Sequence, residues 1–160
     1  MRDIITGVLL LLTFCEHAHT QQRENLKGEK GVQLNLALGS VPDEANMSNE
    51  ALKTEAELRL RRSGILIREG AGGNETWPAL SVYIDVLRVP NSEVYAVWIR
   101  VELTQLVTII QSNRVAAAGT WSSGSLQVLG TQRLLSGVKE QIGSIVDQFC
   151  KDFLAANPKR

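Results

Sequence analysis

Apolar and polar positions alternate with a period of two through the middle of this chain and switch to spacings of three and four near its end. The longest alternating run is Val94 to Gln111. Tyr95, Val97, Ile99, Val101 and Leu103 fall on one face, and Ala96, Trp98, Arg100, Glu102 and Thr104 fall on the other. That pattern predicts a strand with one buried face. Arg100 and Glu102 make the run too polar to cross a membrane, and its β-branched residues disfavour a helix. It is read as the central strand of the fold.

The remaining elements follow from the same patterning. Val32 to Leu38 is a first strand, ended by Gly39 and Pro42. Ser48 is a natural N-cap for a helix over Asn49 to Arg62, with Glu50 in the first turn and Arg59, Arg61 and Arg62 in the last. Ala56, Leu58 and Leu60 alternate as a strand would, but Ala, Glu, Leu and Arg are good helix formers, and Gly64 can close the last turn. Ile65 to Arg68 is a short second strand. From Ala79 a meander is expected: Leu80 to Val86, a break at Pro90 to Glu93, the central strand, a turn at Gln111 to Arg114, and Val115 to Trp121. The apolar face becomes ambiguous near Gln105 and Leu106, which predicts a bulge. Ser122 to Ser125 reads as a loop, with a few more extended residues at Leu126 to Leu129. The last helix carries a stripe of Leu135, Val138, Ile142, Ile145, Val146, Phe149 and Phe153. Asn157 and Pro158 end it.

These elements predict an α+β fold: a largely antiparallel sheet of about five strands with two helices packed on one face. The first strand, first helix and second strand are expected to form a right-handed crossover. The chain has 160 residues, so one domain over 32–158 is expected.

The N-terminus changes the picture. A short head at Met1 to Asp3, an almost purely apolar run from Ile4 to Cys15 and a polar tail to Thr20 have the layout of a secretory signal peptide over 1–20, cut near Thr20. The run is shorter than the roughly 20 residues a spanning helix needs, so the mature chain is expected to carry no transmembrane segment. Residues 21–31 read as a flexible lead-in. Phe14 before Cys15 disfavours a lipid anchor there. A periplasmic or secreted location follows.

Cleavage would remove Cys15 and both histidines, His17 and His19. The mature domain would keep Cys150 alone, with no intramolecular disulfide possible. Cys150 flanks the last helix's stripe and is expected to be an inert core residue. Without histidine, Ser–His–Asp and Cys–His nucleophile systems and the common histidine metal sites cannot form. Among the acids, Asp85, Glu102, Asp147 and Asp152 show no sign of convergence and are read as solvated. No catalytic residue, metal site or cofactor is therefore expected, and a carboxylate-only hydrolase is disfavoured. Lys plus Arg and Asp plus Glu both number 17, so no net field draws the protein to nucleic acid. Glu69 to Thr76 is glycine-rich but lacks the GxxxxGK[ST] and GxGxxG patterns, and reads as a flexible loop. The sequons at Asn46 and Asn74 are read as chance matches.

What chemistry remains is aromatic. Trp98 shares the polar face of its strand with Arg100, and both are candidate binding residues together with Trp121, in a groove between helix and sheet edge. The expected role is a non-enzymatic exported interaction or assembly module with an envelope protein as partner. The alternative is a small-ligand or peptide binder.

The order of elements, with the phrases TEAELRLRRSGI and VDQFCKDFLAANPK, resembles small exported bacterial proteins of unknown function. The layout is similar to the N-terminal domain of TolB and the periplasmic part of CsgG-type assembly proteins. The resemblance implies an envelope or secreted α+β domain. It supplies no catalytic motif.

Overall fold

A computed structural model describes residues 21–42, 45, 47–68 and 77–158. The proposed leader, with Cys15, His17, His19 and Thr20, lies outside the described residues, as do the glycine-rich stretch at 69–76 and both sequon asparagines, Asn46 and Asn74.

Five strands form one sheet: β1 (Gly31–Leu38), β2 (Leu66–Arg68), β3 (Ala79–Arg88), β4 (Val94–Ile109) and β5 (Arg114–Gly130), in the order β2-β1-β3-β4-β5. The helices are α1 (Asn49–Arg62), a single 3-10 turn at Thr131–Arg133, and α2 (Leu134–Ala156). The expected largely antiparallel sheet with two helices is therefore corrected. The sheet is mixed, with two parallel and two antiparallel pairs, and the three helical elements are one long and two short. The reason is the position of β1, which lies between β2 and β3 and runs parallel to both. Alternation within a strand fixes which side chains face the core but says nothing about which strand lies beside it. β2 ends at Arg68, opposite Gln33, and β3 begins at Ala79, opposite the same residue on the other side of β1, so both strands run on in the direction of β1.

The strand and helix starts are dictated locally. Ser48 Oγ accepts the Ala51 N–H and caps α1, Glu50 lies in the first turn, and Gly64 follows the helix at φ 76°. Leu52, Ala56 and Leu60, four residues apart, are the buried positions of α1, and Leu58 faces solvent. Helical spacing, not the alternating one, decides this segment. Both hairpins turn through an asparagine with positive φ, Asn91 at 56° and Asn113 at 49°. Asparagine tolerates that region better than other non-glycine residues.

The core is the layer between the sheet and the helices. Leu80, Val82, Ile84 and Val86 of β3 and Tyr95, Val97, Ile99, Val101 and Leu103 of β4 are buried there with Val32 and Leu34 of β1. Over them lie Val138, Ile142, Ile145, Val146, Phe149 and Phe153 of α2. The helix begins one residue earlier than its stripe predicts, with Leu134 buried and Leu135 exposed. Phe149 stands edge-on to Trp121 at 5.0 Å between ring centroids and 5.7 Å from Phe153. Each fully buried large side chain of this kind contributes about 1.5–3 kcal/mol.

The expected loop at Ser122 to Ser125 is part of β5, which runs unbroken to Gly130. Small polar residues are poor strand formers, but pairing with Ile99 to Glu102 supplies their hydrogen bonds. The predicted irregularity is present as a register shift at Leu103/Thr104. Beyond it β3 has no further partners, so β4 and β5 continue alone as a two-stranded ribbon over 105–118.

Residues 21–30 are not a loose lead-in. They form a helical turn at 21–24 and lie against the domain, with Leu26 fully buried. Asn157 accepts the Gly28 N–H through Oδ1 and donates Nδ2 to the Leu26 carbonyl. Asn25 Nδ2 donates to the Thr120 carbonyl, and Gln105 Nε2 donates to Glu29.

Candidate functional site

The second face of the sheet carries no helix, and the candidate site is built on it. On β3, Tyr83, Asp85 and Leu87 point that way; on β4, Ala96, Trp98, Arg100 and Glu102; on β5, Ser122, Gly124, Leu126 and Val128. Register places Tyr83 beside Arg100, Asp85 beside Trp98, and Trp98 beside Leu126, with Leu87, Ala96 and Val128 in the next row. Trp98 is 40% exposed and Leu126 74%, with Tyr83, Leu87 and Val128 also exposed. Solvent-facing apolar side chains are ordinary one at a time, but a contiguous group marks a contact surface.

Polar groups rim this patch on one side. Arg100 pairs with Glu102 two residues along the same strand face, at 2.6 Å. Gly124 lies opposite Arg100 and presents no side chain to it. Asp85 Oδ1 accepts the Ser40 N–H at 2.9 Å, which ties the end of β1 to β3. Tyr83, Asp85, Trp98, Arg100 and Glu102 together line an open depression against Ala37 to Gly39. The arrangement offers an indole, a guanidinium and two carboxylates around an apolar floor, suited to binding. Among the described residues, no three His, Cys, Asp or Glu side chains come together as a metal site.

Of the three tryptophan and arginine positions singled out from sequence, Trp98 and Arg100 share this face. Trp121 does not join them. It lies on the helix side, fully buried, with Nε1 donating to Asp152 Oδ2 at 3.0 Å. It stands opposite Leu103, an odd number of residues from Leu126, so alternation along β5 turns it to the helix side. Asp152 is 2% exposed rather than solvated, and it also accepts from Gln148 Nε2 and pairs with Arg23 at 3.5 Å. Sequence reasoning missed Tyr83, Leu87, Leu126 and Val128 as site residues. Their signal was present for β3 as alternation, but Leu126 and Val128 needed the register with Trp98 and Ala96.

Arg59 on α1 bonds Glu55 and reaches across to Asp147 on α2. The Glu55 hydrogen bond, with Asp147 adding to it, holds the guanidinium above its ordinary range. Cys150 is a buried free thiol, and burial pushes its titration up. Both features belong to the helix layer, away from the open face.

The chain is thus a two-layer α+β domain with one uncovered sheet face, and no helix among its described residues is long and apolar enough to cross a membrane. No protein-family profile and no curated protein matches it. Among solved structures it is similar to the PelC dodecamer from Paraburkholderia phytofirmans in two crystal forms. One shows 17% identity and a TM-score of 0.47 over 76% of this chain and 88% of that one. The other shows 16% identity and a TM-score of 0.46 over 76% and 87%. A minor lipoprotein from Acinetobacter baumannii is similar at 13% identity and a TM-score of 0.37, over 81% of this chain and 93% of that one.

Proposed function

We propose that this chain is a non-enzymatic, exported interaction or assembly module that docks an envelope protein partner on its open sheet face. The observation that carries the reading is the contiguous group Tyr83, Leu87, Trp98, Leu126 and Val128, left uncovered while the opposite face is sealed by two helices. Tryptophan and tyrosine are favoured anchors at protein contacts, and Arg100 with Glu102 supplies a polar rim. The periplasmic or secreted address is supported by the head, apolar run and small polar tail of residues 1–20. The layout likeness to the TolB N-terminal domain and CsgG-type proteins supports the same address.

The test is site-specific photo-crosslinking in the producing cell. A crosslinker at Trp98 is expected to capture a discrete polypeptide, and one at Glu140, on the exposed side of α2, is not. Equal capture from both positions, or a chemical turnover by the purified chain that survives loss of Trp98, overturns the reading. Sequencing of the mature N-terminus tests the address: a chain starting after Thr20 supports it, and one retaining Met1 sinks it.

A further inference from the structure

The depression on the open face carries a charge balance that selects what fits it. Its volume, about 390 Å³, is at the small end of ligand sites, roughly 300–1,000 Å³, which suits one inserted side chain better than a length of chain. Two carboxylates, Asp85 and Glu102, and one guanidinium, Arg100, line it, so it holds a net negative charge. Arg100 is already paired with Glu102 at 2.6 Å, which leaves Asp85 as the uncompensated group. Among the described residues Asp85 forms no ion pair, and the one hydrogen bond it accepts comes from the Ser40 N–H to Oδ1.

The carboxylate is held in place by the backbone around it. The Gly39 N–H donates to the Ile84 carbonyl at 2.9 Å and the Val86 N–H to the Ser40 carbonyl at 2.7 Å, so the chain leaving β1 is bound to β3 on either side of Asp85. A Cβ on Gly39 would collide with Asp85 Oδ1, so glycine is what lets the carboxylate lie against the strand end. Trp98 stands opposite Asp85 on β4, and Tyr83 lies two residues along β3 on the same face, both rings partly exposed. Among the described residues no basic side chain stacks on either ring; Arg68 lies instead over Trp77, 5.9 Å from its centroid. An aromatic face attracts a cation within about 6 Å, and a carboxylate fixed beforehand need not be ordered on binding.

We infer that this depression takes a lysine side chain presented by the docked protein, with its ammonium on Asp85 and its alkyl stem against Trp98 and Tyr83. The inference rests on the docking reading above and names what the partner must offer there. Charge complementarity sets the sign, because an acidic or phosphorylated group would meet a seat that is already negative. An apolar side chain would cover Asp85 and leave its charge buried without a counter-ion, which is strongly unfavourable. Geometry then separates the two common cations. A guanidinium binds a carboxylate best as a fork on both oxygens, and Oδ1 is engaged by Ser40. An ammonium is a point charge that one oxygen satisfies, and the lysine stem packs along apolar surface while its head stays polar.

Titration of the isotope-labelled, purified chain with n-butylammonium chloride is expected to move the Trp98 indole N–H resonance to saturation, while that of Trp121, sealed against Asp152, stays in place. The same titration with n-butanol, which has the stem without the charge, is expected to move neither. Asp85→Asn keeps an Oδ1 acceptor for Ser40 and removes the charge, and is expected to weaken butylammonium binding roughly tenfold or more. Glu140→Gln, the same change of charge on the exposed side of α2, is expected to leave binding unaltered. No saturable shift at Trp98, an equal shift with butanol, or unchanged binding in Asp85→Asn overturns the inference. If Asp85→Asn does not fold, the contrast between butylammonium and butanol on the unaltered chain decides. A photo-crosslinker at Leu126, beside Trp98, keeps the two readings apart. Capture of a polypeptide as strong in Asp85→Asn as without it removes the lysine and leaves the docking face. Saturable butylammonium binding with nothing captured strikes the docking reading, and the lysine of a docked protein with it.

Discussion

Trp121 and Asp152 join the sheet to its covering helix: the indole N–H, fully buried, donates to a carboxylate that is itself buried. The same carboxylate pairs with Arg23, so the end of the sheet, the last helix and residues 21–30 meet at one group.

Removing this carboxylate strands its donors. Asp152→Ala is expected to destabilise by about 1–3 kcal/mol, chiefly because the Trp121 N–H is left buried without an acceptor. Trp121→Phe removes that donor, so the pair of changes together should cost less than their sum. A double-mutant cycle by urea unfolding measures the coupling, and strict additivity would show that the contact contributes nothing.

Phe149 fills the space between Trp121 and Phe153. Phe149→Ala is expected to cost about 3–5 kcal/mol through lost burial and a cavity, and Phe149→Asp to prevent folding at all. Thermal melts of the two variants check this, and an unchanged midpoint for either contradicts the packing.

Arg59 bridges α1 and α2, but both it and Asp147 remain partly exposed. Solvent screens such pairs, so Arg59→Ala is expected to cost no more than about 1 kcal/mol, and less at high salt. Gly143 lies directly beneath the guanidinium, and a Cβ there would collide with Arg59 Cζ. Gly143→Ala should therefore displace the arginine and abolish most of the Arg59→Ala effect, as a cycle between the two sites would show.

Burial raises the Cys150 thiol above its ordinary titration, with the Ser63 hydrogen bond opposing that rise only in part. The sign follows from proton binding. The folded chain holds the thiol proton more tightly than the unfolded one, whose thiol titrates at about 8.5. The contribution is complete below that value and is lost as pH rises through the higher folded one. Stability is expected to fall in the alkaline range, and Cys150→Ala to flatten that part of the profile after its cavity cost is subtracted. Chemical denaturation at neutral pH and at about pH 10 compares the slopes. A wild-type slope identical to that of the variant would exclude the thiol as its source.

Much of the architecture is legible without coordinates, and its gaps have physical causes. Ser48, Glu50, Arg59, Arg61, Arg62 and Gly64 announce α1 because caps and charges act within a turn. The β3 and β4 alternation is equally local. Strand order is not: nothing in Val32 to Leu38 specifies a seat between β2 and β3, since that choice rests on pairing with strands distant in sequence. The site was half visible for the same reason. Trp98 and Arg100 lie two residues apart on one strand, and alternation alone puts them on one face. Leu126 and Val128 join them only through the β4–β5 register, and the same register sets Trp121 opposite Leu103 on the helix side, which no single-strand pattern reveals.

The ribbon beyond Thr104 carries a mechanical implication. Its strands rise about 3.4 Å per residue, so its tip stands about 17 Å clear of the last three-stranded row, with Ile110 92% exposed at the end. Above Gln105, whose amide bonds Glu29, the mast stands outside the packed layer, so its tip could be cut back to a tight turn while the body melts as before. Whatever brushes its greasy summit must reach the molecule from a direction that neither helix layer nor open sheet addresses.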